Sequence, residues 1–254
     1  MGSGATRTEA TDPMKIGKYL PKPVRQLARS SLSYVQHLNS TYRKALVEKR
    51  RRDFSQAGET VVVRQITKKR YGGVFVEIGA NDGISLSTTY GLLKDGWSGW
   101  SIEANPATYH KLVANLNGYP KAKTMNVAVA PTRGKVQLYL GKDDPEGYYA
   151  TLSVEDTDWF RQHRSQVTVE VDGLTLADLL VEQKVPARFD LLMVDTEGMD
   201  LDILRTFNPA THRPYLIVTE DYEPKNQAKF ELLASFGYRL DRRLGCNTFW
   251  IDQS

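Results

Sequence analysis

Gly73-Val74-Phe75-Val76-Glu77-Ile78-Gly79-Ala80-Asn81-Asp82-Gly83-Ile84 is the stretch that decides the fold. Its first half is a short apolar run, Val74 to Ile78, of the kind a strand buried on both faces requires. Its second half is an ExGxxxG turn at the strand's carboxyl end, which opens a helix running to about Lys94. Glycines here let the backbone turn sharply and let a ligand lie against it. In an open parallel sheet, ligands bind outside the carboxyl ends of the strands. The spacing differs from the GxGxxG of a pyrophosphate cradle, and an acid at Glu77 repels phosphate but suits a cation.

Working outward, short apolar runs alternate with helical patterns, as a layered βαβ fold requires. Trp100 to Glu103 reads as a second strand, Pro106 to Leu116 as a helix with proline at its start, and Met125 to Val129 as a third strand. Lys135 to Leu140 alternates and suggests an extra antiparallel strand. Residues 141–164 are polar, aromatic and turn-rich, the composition of a substrate loop or lid. Val167 to Val171 reads as a strand, and Thr175 with Asp178 caps a helix from Leu176 to Gln183. Phe189 to Asp195 and Tyr215 to Glu220 are strands, and Gln227 to Phe236 is a helix. Gly237 to Leu240 and Thr248 to Ile251 form a terminal antiparallel hairpin.

The chain has 254 residues and a net charge of +4, which conceals a split. Residues 1–53 carry twelve Lys/Arg against four acids, a net +8, so the remainder carries −4. An acidic body is not a nucleic-acid groove, which needs cations on its working face, and no nucleic-acid partner is expected. Residues 1–13 begin with MGSG, an expression scar, and are expected to be disordered. Residues 14–54 read as a basic helical extension with one apolar stripe through Leu27, Val35, Leu38 and Leu46. Packing on its own domain or on a second subunit, giving a homo-oligomer, is one reading of that helix. Contact with a membrane surface or a lipid-linked substrate is a second, and contact of this arm with nucleic acid a third. With no long apolar segment the protein is expected in the cytoplasm, at most peripheral to the membrane. A single cysteine, Cys246, excludes a disulfide framework and a cysteine-rich zinc site.

Glu103 ends the second strand, 26 residues after Glu77, where an acid can accept both hydroxyls of a ribose. With the turn at Ala104-Asn105 and the third-strand end at Asn126-Val127-Ala128, these positions describe a pocket for S-adenosylmethionine.

Residues 73–84, Leu86-Ser87-Thr88-Thr89, Gly96-Trp97-Ser98-Gly99, Ile102 to Pro106 and Val194 to Asp200 together resemble the FkbM family of S-adenosylmethionine-dependent methyltransferases. The resemblance spans residues 55–251, and Ser55 to Glu59 is similar to the family's SQxGED segment, with Thr60 in place of its last acid. It implies a class I methyltransferase domain over residues 55–254: an α/β, Rossmann-like, mostly parallel seven-stranded sheet. It also implies methyl transfer, commonly to a hydroxyl of a sugar or polyketide. Carried over by position, Glu77, Gly79, Asn81 and Gly83 line the cofactor, Glu103 holds its ribose, Ala128 lies near the adenine and Gln56 closes over the methionine end. Ser85 and Ser87 fall in the first turn of the helix, as contacts to the cofactor carboxylate or as helix-start polar residues.

Asp195 and Glu197 stand at the end of the Phe189 strand, where catalytic groups of such sheets collect. An alcohol is a poor nucleophile, so a base or Lewis acid must take its proton, and Asp195 or Glu197 is expected in that role. Asp195, Glu220 and Asp221 are together similar to the metal site of macrocin-type sugar O-methyltransferases and suit Mg²⁺ or another divalent cation. Asp200 reads as a charge at the start of the next helix, and His163 as a solvated lid residue or, alternatively, a base. Tyr148, Tyr149, Trp159 and Phe160 either stack on a sugar or pack the lid. The expected reaction is O-methylation of a carbohydrate or glycoconjugate. The alternatives are O-methylation of a polyketide or other secondary metabolite, an RNA or protein methyltransferase, and a non-catalytic binding module.

Overall fold

A computed structural model describes residues 53–69, 71–142, 144, 149–152, 164–221 and 227–254. They belong to the second of two units, residues 51–254; the first, residues 1–50, lies outside them, and with it the basic helix and the leading segment. His163, Tyr148, Trp159 and Phe160 also lie outside the described residues.

The main sheet has seven strands in the order β10-β11-β9-β8-β1-β2-β3. These are β1 (Val74–Ile78), β2 (Ser98–Glu103), β3 (Ala122–Asn126), β8 (Arg188–Val194), β9 (Arg213–Glu220), β10 (Tyr238–Leu244) and β11 (Asn247–Asp252). β3, β2, β1, β8 and β9 run parallel, and β11 pairs antiparallel with both β9 and β10. The terminal hairpin expected from the sequence is therefore present, at one edge of the expected seven-stranded sheet.

Alternation along each strand sends successive side chains to opposite faces. Val76, Ile78, Ile102, Val194 and Ile217 go to one face, under α4 (Leu176–Glu182), α5 (Asp200–Arg205) and α6 (Gln227–Ser235). Phe75, Met193, Val218 and Phe249 go to the other, under α1 (Glu59–Thr67), α2 (Thr88–Lys94) and α3 (Pro106–Leu116). The fully buried side chains Phe75, Phe249, Leu191 and Leu179 anchor this three-layer packing at about 1.5–3 kcal/mol each.

Several elements differ from the sequence reading. The strand expected over Met125 to Val129 is two strands: β3 ends at Asn126 beside Glu103, and β4 (Ala128–Val129) leaves to pair with β7 (Arg164–Leu174). With β5 (Gly134–Gly141) and β6 (Ala150–Thr151) they make a second sheet, order β4-β7-β5-β6. A run of five residues cannot show that its two halves join different sheets, because both pairings are long-range. The helix after the glycine turn starts at Thr88, not at Gly83; Ser87 is its N-cap, accepting the Tyr90 N–H, and Ser85 lies in the preceding turn. α1 was hidden in a β-branched run, Val61-Val62-Val63, which becomes helical because Val62, Val63 and Ile66 bury against the sheet.

Candidate active site

Glu77, Glu103, Asp195, Glu220 and Asn247 form one row of polar residues across the strand ends. Each is an even number of residues from a side chain of the Phe75–Phe249 face, or odd from one of the opposite face, so all five share that face. The register makes Asn247 the partner of Glu220, while Asp195 stands one residue past the pair Val194–Thr219, beside Glu220. A cleft of about 330 Å³ opens along this row. It is lined by Gln56, Glu77, Gly79, Asn81, Ser85, Glu103, Ala128, Asp195, Glu197 and Glu220 among the expected residues. Gly83 and Asp221 do not line it.

The turn after β1 is built by backbone bonds. Gly79 and Ala80 both donate to Ile102 O, and Asp195 N donates to Ile78 O at 3.0 Å. Gly79 has φ +85°, and a Cβ there would stand 1.8 Å from Asp195 O, so only glycine lets the β1 and β8 ends close on each other. Gly83 serves packing instead: a Cβ there would stand 2.5 Å from Leu112 Cδ1, where the turn meets α3. Ser85 donates to Asp82, whose carboxylate also takes the N–H groups of Ile84 and Ser85.

Glu103 is buried and its two oxygens take one backbone N–H each, from Asn105 at 2.7 Å and Asn81 at 2.9 Å. Burial raises its pKa and those bonds oppose the rise. Asn126 Nδ2 donates to Glu103 O and Ala104 O, which ties the β2 turn to β3. Glu77, also buried, accepts from Thr89 Oγ1 at 2.6 Å, and desolvation pushes its pKa up to about 7. Thr89 is a contact that the sequence reading did not single out.

At the other end of the cleft one oxygen each of Asp195, Glu197 and Glu220 lies within 4.8 Å of the others. Burial, then the charge of Glu220 and of Asp200, raises the pKa of Asp195 well above the carboxylate range. Burial, then Asp195, pushes Glu197 up to about 8. Glu197 has φ +51°, a conformation costly for a residue with a side chain, and its Oε2 is buried without a hydrogen-bond partner among the described residues. Thr151 on β6 donates to Glu197 O at 2.8 Å, so the second sheet holds the loop in place.

Asp221, expected to complete a metal set, is instead committed to Lys229 Nζ at 3.3 Å and Arg243 at 3.5 Å. Residues 220 and 221 alternate across the strand, so Glu220 faces the cleft and Asp221 does not; Glu197 takes the third place. Asp200 does more than charge the start of α5. Its buried carboxylate accepts from Thr196 N, Thr196 Oγ1 and Glu220 N, joining the two acid-bearing strand ends. Lys229 Nζ, itself buried, donates to Glu220 O and lies 3.9 Å from Asp200. Cys246 sits beside Gln56, and burial with Glu220 and Asp195 pushes its thiol up to about 12, which leaves it unreactive.

Among the described lining residues six are acidic and none is Lys, Arg or His. Such a lining suits a cationic sulfonium ligand and repels a phosphate one. The model of the methyltransferase FkbM domain matches residues 77–240. The chain belongs to the FkbM methyltransferase family. This FkbM protein is accordingly an S-adenosylmethionine-dependent methyltransferase with a class I fold. Among solved structures it is similar to the FkbM methyltransferase of Methylobacillus flagellatus, at 14% identity, 71% of this chain, 43% of that one and a TM-score of 0.45. It is also similar to the ribosomal protein L11 methylase of Lactobacillus delbrueckii subsp. bulgaricus, at 12% identity, 76% and 75% coverage and a TM-score of 0.44. The fibrillarin of Aeropyrum pernix, solved with bound S-adenosyl-L-methionine, matches at 9% identity, 75% and 74% coverage and a TM-score of 0.43. No curated protein matches the FkbM chain. No helix among its described residues is long and apolar enough to cross a membrane.

Proposed function

We propose that this FkbM methyltransferase methylates a hydroxyl of a carbohydrate or glycoconjugate, with Asp195 or Glu197 as the base. The observation that carries the reading is the carboxylate cluster Asp195–Glu197–Glu220 at the end of the cleft away from Glu103. Glu103 is the acceptor for the ribose hydroxyls, with Gly79 and Asn81 forming the turn against the cofactor, Ala128 near its adenine and Gln56 at its methionine end. Glu77 supplies negative charge beneath the turn. S-adenosylmethionine supplies an electrophilic methyl on a sulfonium and leaves as S-adenosylhomocysteine.

The chain's own part is to align and to receive a proton. A carboxylate raised to about 8 is a much stronger base than an ordinary one, and a base near the working pH is the efficient one. The acceptor's oxygen forms its bond to the methyl carbon as its proton passes to a carboxylate oxygen of Asp195 or Glu197. The same three acids would hold Mg²⁺ or another hard cation, which would lower the pKa of a bound hydroxyl; the spacing of their oxygens and the unpaired Glu197 Oε2 fit such an ion.

The test is a labelled-methyl assay over methyl glycosides, oligosaccharides and hydroxylated aromatic or polyketide acceptors, with and without chelator. The expected product is a sugar methyl ether, with Asp195→Asn or Glu197→Gln slowing transfer by about 10²–10⁴. Transfer only to apolar acceptors, to RNA or to protein refutes the carbohydrate reading. Loss of transfer in chelator assigns the acids to a metal, and full activity in chelator assigns them to proton transfer alone.

A further inference from the structure

Asn247 opens β11 directly opposite Glu220 and is buried, with 4% of its surface exposed. Its Nδ2 donates to Glu59 Oε1 at 3.0 Å, and the other oxygen of Glu59 accepts the Ala57 N–H at 2.8 Å. That partner decides which way the amide is turned, because a half-turn would set Oδ1 against a carboxylate oxygen. Asn247 Oδ1 is therefore a fixed acceptor pointed away from Glu59. It has no hydrogen-bond partner among the described residues, although both Asn247 and Glu59 line the cleft.

A buried acceptor left unpaired is costly, so the site is completed by a donor. Glu59 is already committed to Asn247 Nδ2 and the Ala57 N–H, and no described residue donates to Oδ1, which leaves that place to a ligand's donor. Two sources carry N–H or O–H groups: the cofactor's ammonium and the methyl acceptor. Glu103 lies on β2, four strands from β11, roughly 19 Å at about 4.8 Å per strand, which sets the cofactor's nucleoside half apart from Asn247; its methionine end, at Gln56 beside Cys246, is the competitor that the affinity measurement below separates. Asn247 instead adjoins Glu220 and Asp195, where the acceptor hydroxyl is deprotonated on the reading above.

We propose that Asn247, held by Glu59, is a specificity-determining residue that accepts a hydrogen bond from a second hydroxyl or amine of the acceptor, adjoining the methylated hydroxyl. This rests on the methyl-transfer reading and sharpens it. The acceptor carries at least two neighbouring donors, as sugars do, and an analogue lacking the second leaves Oδ1 unpaired and is rejected.

Glu59→Gln supplies a test without a cavity. The new amide oxygen keeps the Ala57 N–H, so its NH₂ faces Asn247. Asn247 then turns to offer Oδ1 to that group and presents Nδ2 to the cleft. Hydrogen-bond polarity is inverted at unchanged volume.

The probes are methyl glycosides and their monodeoxy analogues. They are followed by methyl transfer and by saturation-transfer NMR on the full chain loaded with S-adenosylhomocysteine. For the native protein, one deoxy position is expected to lower kcat/KM and binding about 10- to 100-fold, as one unpaired buried acceptor would. Asn247→Ala should erase that discrimination while calorimetric affinity for S-adenosylhomocysteine stays within about twofold; Glu59→Gln should keep it for a hydroxyl, which can also accept from Nδ2, but weaken binding of the matching amino-sugar glycoside, whose ammonium only donates. Discrimination that survives in folded Asn247→Ala overturns the proposal, as does unchanged amino-sugar binding in folded Glu59→Gln or absence of glycoside binding to the native protein. A parallel loss of S-adenosylhomocysteine affinity also overturns it, assigning Oδ1 to the cofactor's ammonium. Asn247-dependent binding without methylation of any glycoside keeps the seat and defeats the sugar O-methylation reading instead.

Discussion

Replacing Glu103 by glutamine turns one carboxylate oxygen into an NH₂ and separates a structural role from a ligand-binding one. In the native protein Oε1 accepts from Asn105 N and Oε2 from Asn81 N. Glutamine has one oxygen, so one of these N–H groups must face an NH₂ instead. One buried bond is lost, which costs about 1–3 kcal/mol of stability. At about 2–4 °C per kcal/mol for a domain of this size, Tm should fall by roughly 2–12 °C. The ribose is affected separately. An ionised acid accepting two hydroxyls forms charge-assisted bonds, roughly twice as strong as neutral ones, and an amide accepts only one. The combined loss of about 2–3 kcal/mol corresponds to 30- to 150-fold weaker binding. Titration calorimetry with S-adenosylhomocysteine, on protein shown to be folded by its melting curve, reads this directly. A variant whose Tm falls as expected but whose affinity stays within twofold would show that Glu103 only clamps the turn, and the ribose assignment would fall with it.

Gly79→Ala should destabilise the fold by at least about 3 kcal/mol, combining left-handed strain with a Cβ that would stand 1.8 Å from Asp195 O, and a melting temperature near native would refute the close approach. Because Glu77 and Glu197 hold protons up to about 7 and 8 in the fold but release them near 4.5 when unfolded, the ligand-free protein should lose stability as pH rises from about 4.5 to 8. The loss is on the order of 3–5 kcal/mol for each acid, and urea titrations across that range that show rising stability would contradict the burial of these acids. Asp200→Asn should leave Thr196 or Glu220 unpaired and lower Tm by about 5–10 °C. It should slow methyl transfer while S-adenosylhomocysteine affinity, measured by calorimetry, stays within a few-fold. Asp221→Asn should cost about 1–3 kcal/mol through Lys229 and Arg243 yet leave any divalent-cation effect on turnover unchanged, whereas Glu220→Gln should abolish that effect. The reverse result would return Asp221 to the site.

The parts of this fold that were legible along the chain are those fixed by local chemistry. The helix from Pro106 to Leu116 was readable because Asn105 caps it and proline starts it. The cap at Thr175 was readable from its spacing to Asp178. β1 was readable because a strand covered on both faces is apolar, here at every position but Glu77. α1 was not, because three consecutive valines favour extended backbone until a sheet is present to bury them. The parting of β3 from β4 at Val127 was also invisible, since Asn126 and Ala128 are sorted into two sheets by partners at Glu103 and Gly173.

The candidate site divides in the same way. Sequence alone determined that acids would stand at strand ends, because Glu77, Glu103 and Asp195 each close an apolar run beside turn-forming residues. Only the tertiary structure decided which of them meet. Register set Glu220 beside Asp195, and alternation turned Asp221 away toward Lys229. A positive φ at Glu197 brought its carboxylate inward, and the C-terminal hairpin delivered Asn247 to Glu59 across 188 residues of chain. Spacing along the chain carries no information about such encounters, because the register between distant strands depends on the whole packed sheet.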